Sequence, residues 1–210
     1  MSTPTRRGPG RPPKAQAGDT KAALLKAALG LFARHGFAGT SIRAIAREVG
    51  MSESVLYAHF PNKQAMFEAA LALGGPRAPI EAIAALDAGT DPGDYIRELT
   101  AAVLTAWDTP EARQLAGLAA RDGLMHHPLL SSGIDEALAH LAGVFQRWLD
   151  EGRIRDDLGG AGELAYALLA PIAHTRMLWL HPDATPAQRK EARARAVRHG
   201  DLIARAVVPG

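Results

Sequence analysis

Cysteine is missing from all 210 residues, which removes a disulfide framework, a thiolate zinc finger and a thiol nucleophile. No apolar run approaches the roughly 20 residues that a bilayer-spanning helix needs. Basic residues open the chain without an apolar segment after them, so a secretory leader is not expected and the protein is expected in the cytoplasm. Strand-like alternation of useful length is absent, and no repeat recurs. There is no nucleophile elbow, no Gly-rich phosphate loop and no carboxylate pair in an apolar setting. An enzymatic role therefore has no residues to carry it, and no cofactor is expected.

Acidic residues are scarce in one region only. Residues 1–63 hold ten Lys/Arg against Asp19, Glu48 and Glu53, a net charge of +7, whereas residues 64–210 carry a net charge of −5. A basic N-terminal third beside a mildly acidic remainder points to a polyanion partner for the first part alone. With 47% hydrophobic residues, the chain can bury a core in one or two domains.

Within the basic third, residues 40–60 (TSIRAIAREVGMSESVLYAHF) read as two short helices joined by a tight turn. Ile42, Ile45, Ala46 and Val49 share one apolar face, and Thr40 is expected to cap the first helix. Gly50 stands where the turn favours positive φ. Ser52 is expected to cap the second helix, whose Val55, Leu56 and Phe60 point inward. A larger side chain than Ala46 would hold the helices apart. This spacing is the sequence form of a helix-turn-helix, whose second helix enters a DNA major groove.

The run LYAHFPNKQAMF (56–67) resembles the end of the helix-turn-helix in the TetR/AcrR family of bacterial transcriptional regulators, and ALGLFARHGFAGTSIRAIAREVGMS (28–52) resembles the approach to it. The resemblance covers residues 20–70. It implies an all-α protein of about nine helices: a three-helix DNA-binding head, then a larger body that binds a small effector and dimerises. The expected domains are a disordered basic arm (1–17), the head (18–66) and the body (67–210). In the arm, Gly10-Arg11-Pro12 resembles an AT-hook core, so Arg6, Arg7, Arg11 and Lys14 are expected to favour a narrow A·T-rich minor groove.

Carried over from the resemblance, Tyr57, His59 and Lys63 match phosphate-contacting positions. Thr40 and Ser41 can offer hydroxyls and N-terminal amides to another phosphate, and Arg43 is long enough to reach a guanine edge. Two departures stand out. Glu53-Ser54-Val55 follows Ser52 where the family commonly has a basic or neutral residue and then Gly-Thr. Glu53 needs cytosine N4, Arg43 or Arg47 as a partner, and Val55 can only pack, for instance on a thymine methyl.

Further expected helices lie near 20–35, 62–73, 93–107, 110–123, 134–152, 163–180 and 186–207. Gly74-Gly75-Pro76 breaks the chain as a candidate hinge between head and body, and Pro171 should kink its helix. Candidate effector-lining residues are Trp107, Met125, His126, Trp148, Tyr166 and His174, a set of apolar surfaces with a few polar tips. His126-His127 four residues after Asp122 hints at a metal, but Pro128 and the lack of another acid or Cys at ligand spacing argue against one. The expected protein is a homodimeric, ligand-responsive regulator, most simply a repressor released from a pseudo-palindromic operator by a small molecule. The last two helices of each copy would pair in a four-helix bundle. An architectural or non-specific DNA-binding protein without effector is the alternative, and a helical binding protein or enzyme without a DNA role is a third reading.

Overall fold

In the computed structural model the described residues are 14–209, and among them every regular element is helical. The head comprises α1 (Lys14–Gly39), α2 (Ile42–Glu48) and α3 (Glu53–His59), followed by α4 (Lys63–Leu73). The body continues with α5 (Arg77–Ala84), α6 (Pro92–Trp107) and α7 (Pro110–Asp122). A single 3₁₀ turn (Leu124–His126) leads into α8 (Pro128–Asp150), α9 (Ala161–Trp179) and α10 (Pro186–Val207). The all-α architecture of head and larger body is therefore as the sequence indicates.

Local chemistry explains most boundaries. Asn62 Oδ1 accepts the Ala65 amide at 2.8 Å and starts α4. Thr109 caps α7 ahead of Pro110, and Thr185 with Gln188 closes a reciprocal capping box on α10. The added helix is α5. Its eight residues, with Pro79 in the first turn where the missing amide costs no helical bond, are too few to hold a helix alone. Packing supplies what propensity lacks: Ile83 is buried in the body core and Ile80 packs against it.

Two apolar cores form. The head core joins Leu24, Ala28 and Phe32 of α1 with Ile45, Ala46, Leu56 and Phe60 of the helix-turn-helix. It continues through Met66, Phe67, Ala70 and Leu71 of α4 into Leu115 and Leu118 of α7. The body core lies among α6, α8, α9 and α10 and includes Tyr95, Leu99, Phe145 and Leu168. The break at 74–76 is tightly packed. A Cβ on Gly74 would meet the Glu111 carbonyl, and one on Gly133 of α8 would overlap the Pro76 ring.

Helix α1 runs past its expected end, but with an interruption. Gly36 takes φ 73° and ψ 171°, and the groups freed there find partners on α7. Arg121 donates to the carbonyls of Phe32 and Ala33, each at 2.7 Å, while Asp122 accepts the Phe37 amide at 3.3 Å. A second break is healed across helices. Pro171 leaves the Ala167 carbonyl without its helical donor, and His199 Nε2 of α10 lies 2.9 Å from that oxygen.

Candidate nucleic-acid interface and effector cavity

The helix-turn-helix is held from inside by its small and apolar residues. Ala46 and Leu56 are buried, Gly50 turns the chain at φ 67°, and the Met51 amide returns to the Ala46 carbonyl at 2.9 Å. The opposite surface is left to polar groups. Ser41, Arg43, Arg47, Ser52, Glu53, Ser54 and Tyr57 are exposed, while Val55 and His59 are half-buried. Tyr57 is 54% exposed despite its ring, so it is presented outward rather than used as core. Glu48 is taken by Arg34 at 3.2 Å, and no ion pair involves Arg43, Arg47 or Glu53 among the described residues. Two guanidinium groups on α2 are thus available to an anionic partner.

Neither Thr40 nor Ser52 makes the capping bond that the sequence suggested, and Lys63 makes bonds that it did not suggest. Thr40 is buried and donates its hydroxyl to the carbonyls of Leu31 (3.2 Å) and Gly36 (2.8 Å). The α2 cap is Ser41, whose Oγ accepts the Ala44 amide at 3.1 Å and keeps its own hydrogen to donate. Ser52 occupies the α3 cap position but shares a 2.8 Å hydrogen bond with the Ser54 hydroxyl instead of an amide. Lys63 is partly buried: its ammonium donates to Phe37 O (2.8 Å) and Thr40 O (3.0 Å) and lies 4.3 Å from the Phe37 ring centre. Of its three donors, one remains for a phosphate. This ammonium ties α4 to the turn that presents Ser41. Arg6, Arg7 and Arg11 lie outside the described residues, and Lys14 is the first residue of α1.

The body holds a cavity of about 790 Å³ between α5, α6, α7, α8 and α9, open to the surface beside the exposed Tyr166, Met177 and Leu178 of α9. Val103, Leu115, Ala119, Ile134 and Leu169 give it an apolar wall. Of the candidate lining residues, Trp107, Tyr166 and His174 meet there. Trp148 does not: it is fully buried in the body core, donates Nε1 to the Ala88 carbonyl at 3.0 Å and packs edge-on against Tyr95. His126 lies in the 3₁₀ turn away from the cavity, and the Met125 side chain lies outside the described residues.

Sequence reasoning missed Arg176, which also lines the cavity. Its signal was its isolation, since α9 holds only Glu163 and Arg176 as charged residues. Asp122 serves Arg121 and the Phe37 amide, and no cluster of His, Cys or acids suited to a metal occurs among the described residues. No described helix is long and apolar enough to cross a membrane.

Comparison with known proteins agrees with this geometry. Residues 24–70 match the family model described as bacterial regulatory proteins, tetR family. Over 52 residues the chain is 42% identical to the HTH-type transcriptional repressor SCO4008 of Streptomyces coelicolor, a match covering 25% of this chain and 27% of that one. The matched stretch is therefore about a quarter of that repressor's length. The fold extends much further. Salmonella enterica GusR superposes with a TM-score of 0.63 at 26% identity, covering 88% of this chain and 93% of its own. The TetR-family regulator PfmR of Thermus thermophilus gives 0.65 at 21% identity, with 87% and 97% covered.

Proposed function

Since residues 24–70 match the tetR family model, we propose that the chain is a regulator of that family, a dimeric transcriptional repressor that a small molecule releases from a pseudo-palindromic operator. The observation that carries this reading is the double use of α7. One stretch of that helix walls the cavity with Leu115, Ala116 and Ala119, and its last two residues hold α1 through Arg121 and Asp122. A ligand that shifts α7 acts directly on α1 at its Gly36 break and, through α1, on the spacing of two heads. The head and body, which α4 links through residue 66 without a break, are thus mechanically joined.

On DNA, α3 enters the major groove. Tyr57, His59, Ser41 and the remaining donor of Lys63 meet phosphates, Arg43 reaches a base edge, and Arg6, Arg7 and Arg11, ahead of α1, act as a minor-groove arm. Dimerisation uses α9 and α10, whose Tyr166, Met177, Leu178, Val197 and Leu202 are exposed apolar side chains. A two-fold pair then reads half-sites about one turn (~34–36 Å) apart or a multiple of that.

Footprinting on the DNA flanking the protein's own gene tests the reading. The expected result is one sharp two-fold protected site bound by a dimer in light scattering. Uniform coating of any duplex would favour an architectural role and overturn the repressor assignment.

A further inference from the structure

The cavity wall is mostly apolar, and its polar side chains, Tyr166, His174 and Arg176, all stand on α9. Arg176 reaches it from α9 and stacks over Trp107, with the guanidinium carbon 5.1 Å from the ring centre. Its Nε is buried without an acceptor, as is the indole Nε1 of Trp107, and the guanidinium's one hydrogen bond is a long 3.4 Å contact to the Ala112 carbonyl. No carboxylate forms an ion pair with Arg176 among the described residues. Asp108, on the loop after Trp107, pairs instead with Arg113, Arg189 and Arg193.

A buried guanidinium without a counter-charge is costly, and the cost recurs in every copy of the ligand-free fold. Desolvation pulls Arg176 down to about 10, which still leaves it cationic at neutral pH. Two N–H donors on stacked side chains, one of them charged, therefore lack acceptors at the wall of a mostly apolar chamber. An oxyanion supplies what both lack, and the fork of a guanidinium matches a carboxylate edge to edge.

We propose that the effector is an amphipathic organic acid, its oxyanion held by Arg176 and the Trp107 indole N–H and its apolar body filling the space between α6, α7, α8 and α9. This inference rests on the reading of the cavity as the effector site and adds the ligand's charge. The size of the chamber suits one ligand of drug-like dimensions, since such sites run to roughly 300–1,000 Å³.

Two fluorescent probes with nearly the same apolar body separate charge from bulk: anilinonaphthalene sulfonate, an anion, and neutral N-phenylnaphthylamine. Titrated into the full-length dimer, the anion should bind about ten- to a hundred-fold more tightly, the value of a charge-assisted hydrogen bond. Arg176→Met should abolish that preference while leaving the neutral probe's affinity in place, and Arg176→Lys, which keeps a cation, should retain part of it. Ala116→Trp, which fills the chamber from α7, should remove both probes.

Equal affinity for the two probes in the natural protein overturns the proposal, whether or not Arg176→Met folds. A preference that survives Arg176→Met overturns it as well. If neither probe binds, or both survive Ala116→Trp, the cavity reading itself fails. An Arg176-dependent preference that leaves DNA affinity unchanged supports the anion site and overturns the role of that site as the switch.

Discussion

Asp122, the last residue of α7, accepts the backbone amide of Phe37, 85 positions earlier, at 3.3 Å. In an unbroken α1 that amide would turn to the Ala33 carbonyl, but Gly36 breaks the ladder and Arg121 occupies the carbonyl instead. One adjacent pair on α7 thus supplies both the donor and the acceptor that the break leaves wanting. The joint between head and cavity wall is made of hydrogen bonds that a single side chain can remove.

Asp122→Ala should leave the Phe37 amide without a protein acceptor and cost about 1 kcal/mol, the net value of one such bond. Asp122→Asn keeps an acceptor oxygen and should cost less. Urea unfolding at fixed protein concentration measures both, and amide exchange at Phe37 should speed up in the Ala variant alone. Unchanged exchange at Phe37 would show that the contact carries no load.

Lys63 and Arg43 should separate by assay. Lys63→Ala removes two hydrogen bonds that pin the α1–α2 turn, so the head should lose about 1–2 kcal/mol of stability. Operator and scrambled DNA should both bind less tightly, and the salt slope of log K should fall by about 0.9 per subunit. Arg43 has no partner to lose, so Arg43→Ala should melt like the natural protein. It should cost about 1–3 kcal/mol per half-site on the operator and much less on scrambled DNA. If Arg43→Ala weakens both duplexes equally, its assignment to a base edge fails.

What could be read in the sequence was whatever a few neighbouring residues decide. Ala46, Gly50 and Leu56 sit within one motif, and their sizes and backbone preferences alone specify the helix-turn-helix. The Asn62 and Thr109 caps are likewise settled within three residues. The inward bonds of Thr40 to Leu31 and of Lys63 to Phe37 were not legible, because only the folded head brings together residues 9 and 26 positions apart. Trp107 and Trp148 carry the same apolar signal, but only the packing of α5 to α9 decides that one faces a chamber and the other a core. Arg176 stayed hidden for a related reason: its isolation on α9 marks it as unusual, but only the fold decides whether a carboxylate meets it.

The ion pair between Lys26 of α1 and Glu111 of α7, at 3.0 Å, gives the same joint a pH dependence. The hydrogen bond from Lys26, with help from the helix's own amides, holds the Glu111 carboxyl below its ordinary value. A carboxylate lowered on folding stabilises the fold above its unfolded value of about 4.3 and loses that contribution as pH falls through the lowered value. Glu111→Gln should therefore flatten the acid limb of the stability curve below about pH 5 and change it little at neutral pH. Identical acid limbs in thermal melts from neutral pH downward would remove Glu111 from the account.

Pro171 and His199 offer the sharpest test, because each makes the other necessary. Without Pro171, the residue at that position would donate its amide to Ala167, and His199 would be competing for a carbonyl already served. With proline there, His199 at 2.9 Å is the donor recorded for that oxygen, and it ties α10 to α9 in doing so. His199→Ala should cost about 0.5–1.5 kcal/mol in the natural background, the net value of one hydrogen bond at an exposed carbonyl. In a Pro171→Ala background the same change should cost much less, giving a coupling energy of about 0.5–1.5 kcal/mol between residues 28 positions apart in sequence. Both helices carry the exposed apolar residues assigned to the dimer interface, so every melt must be run at one protein concentration. Additive effects of the two substitutions would mean that His199 contributes through something other than the carbonyl that Pro171 strands.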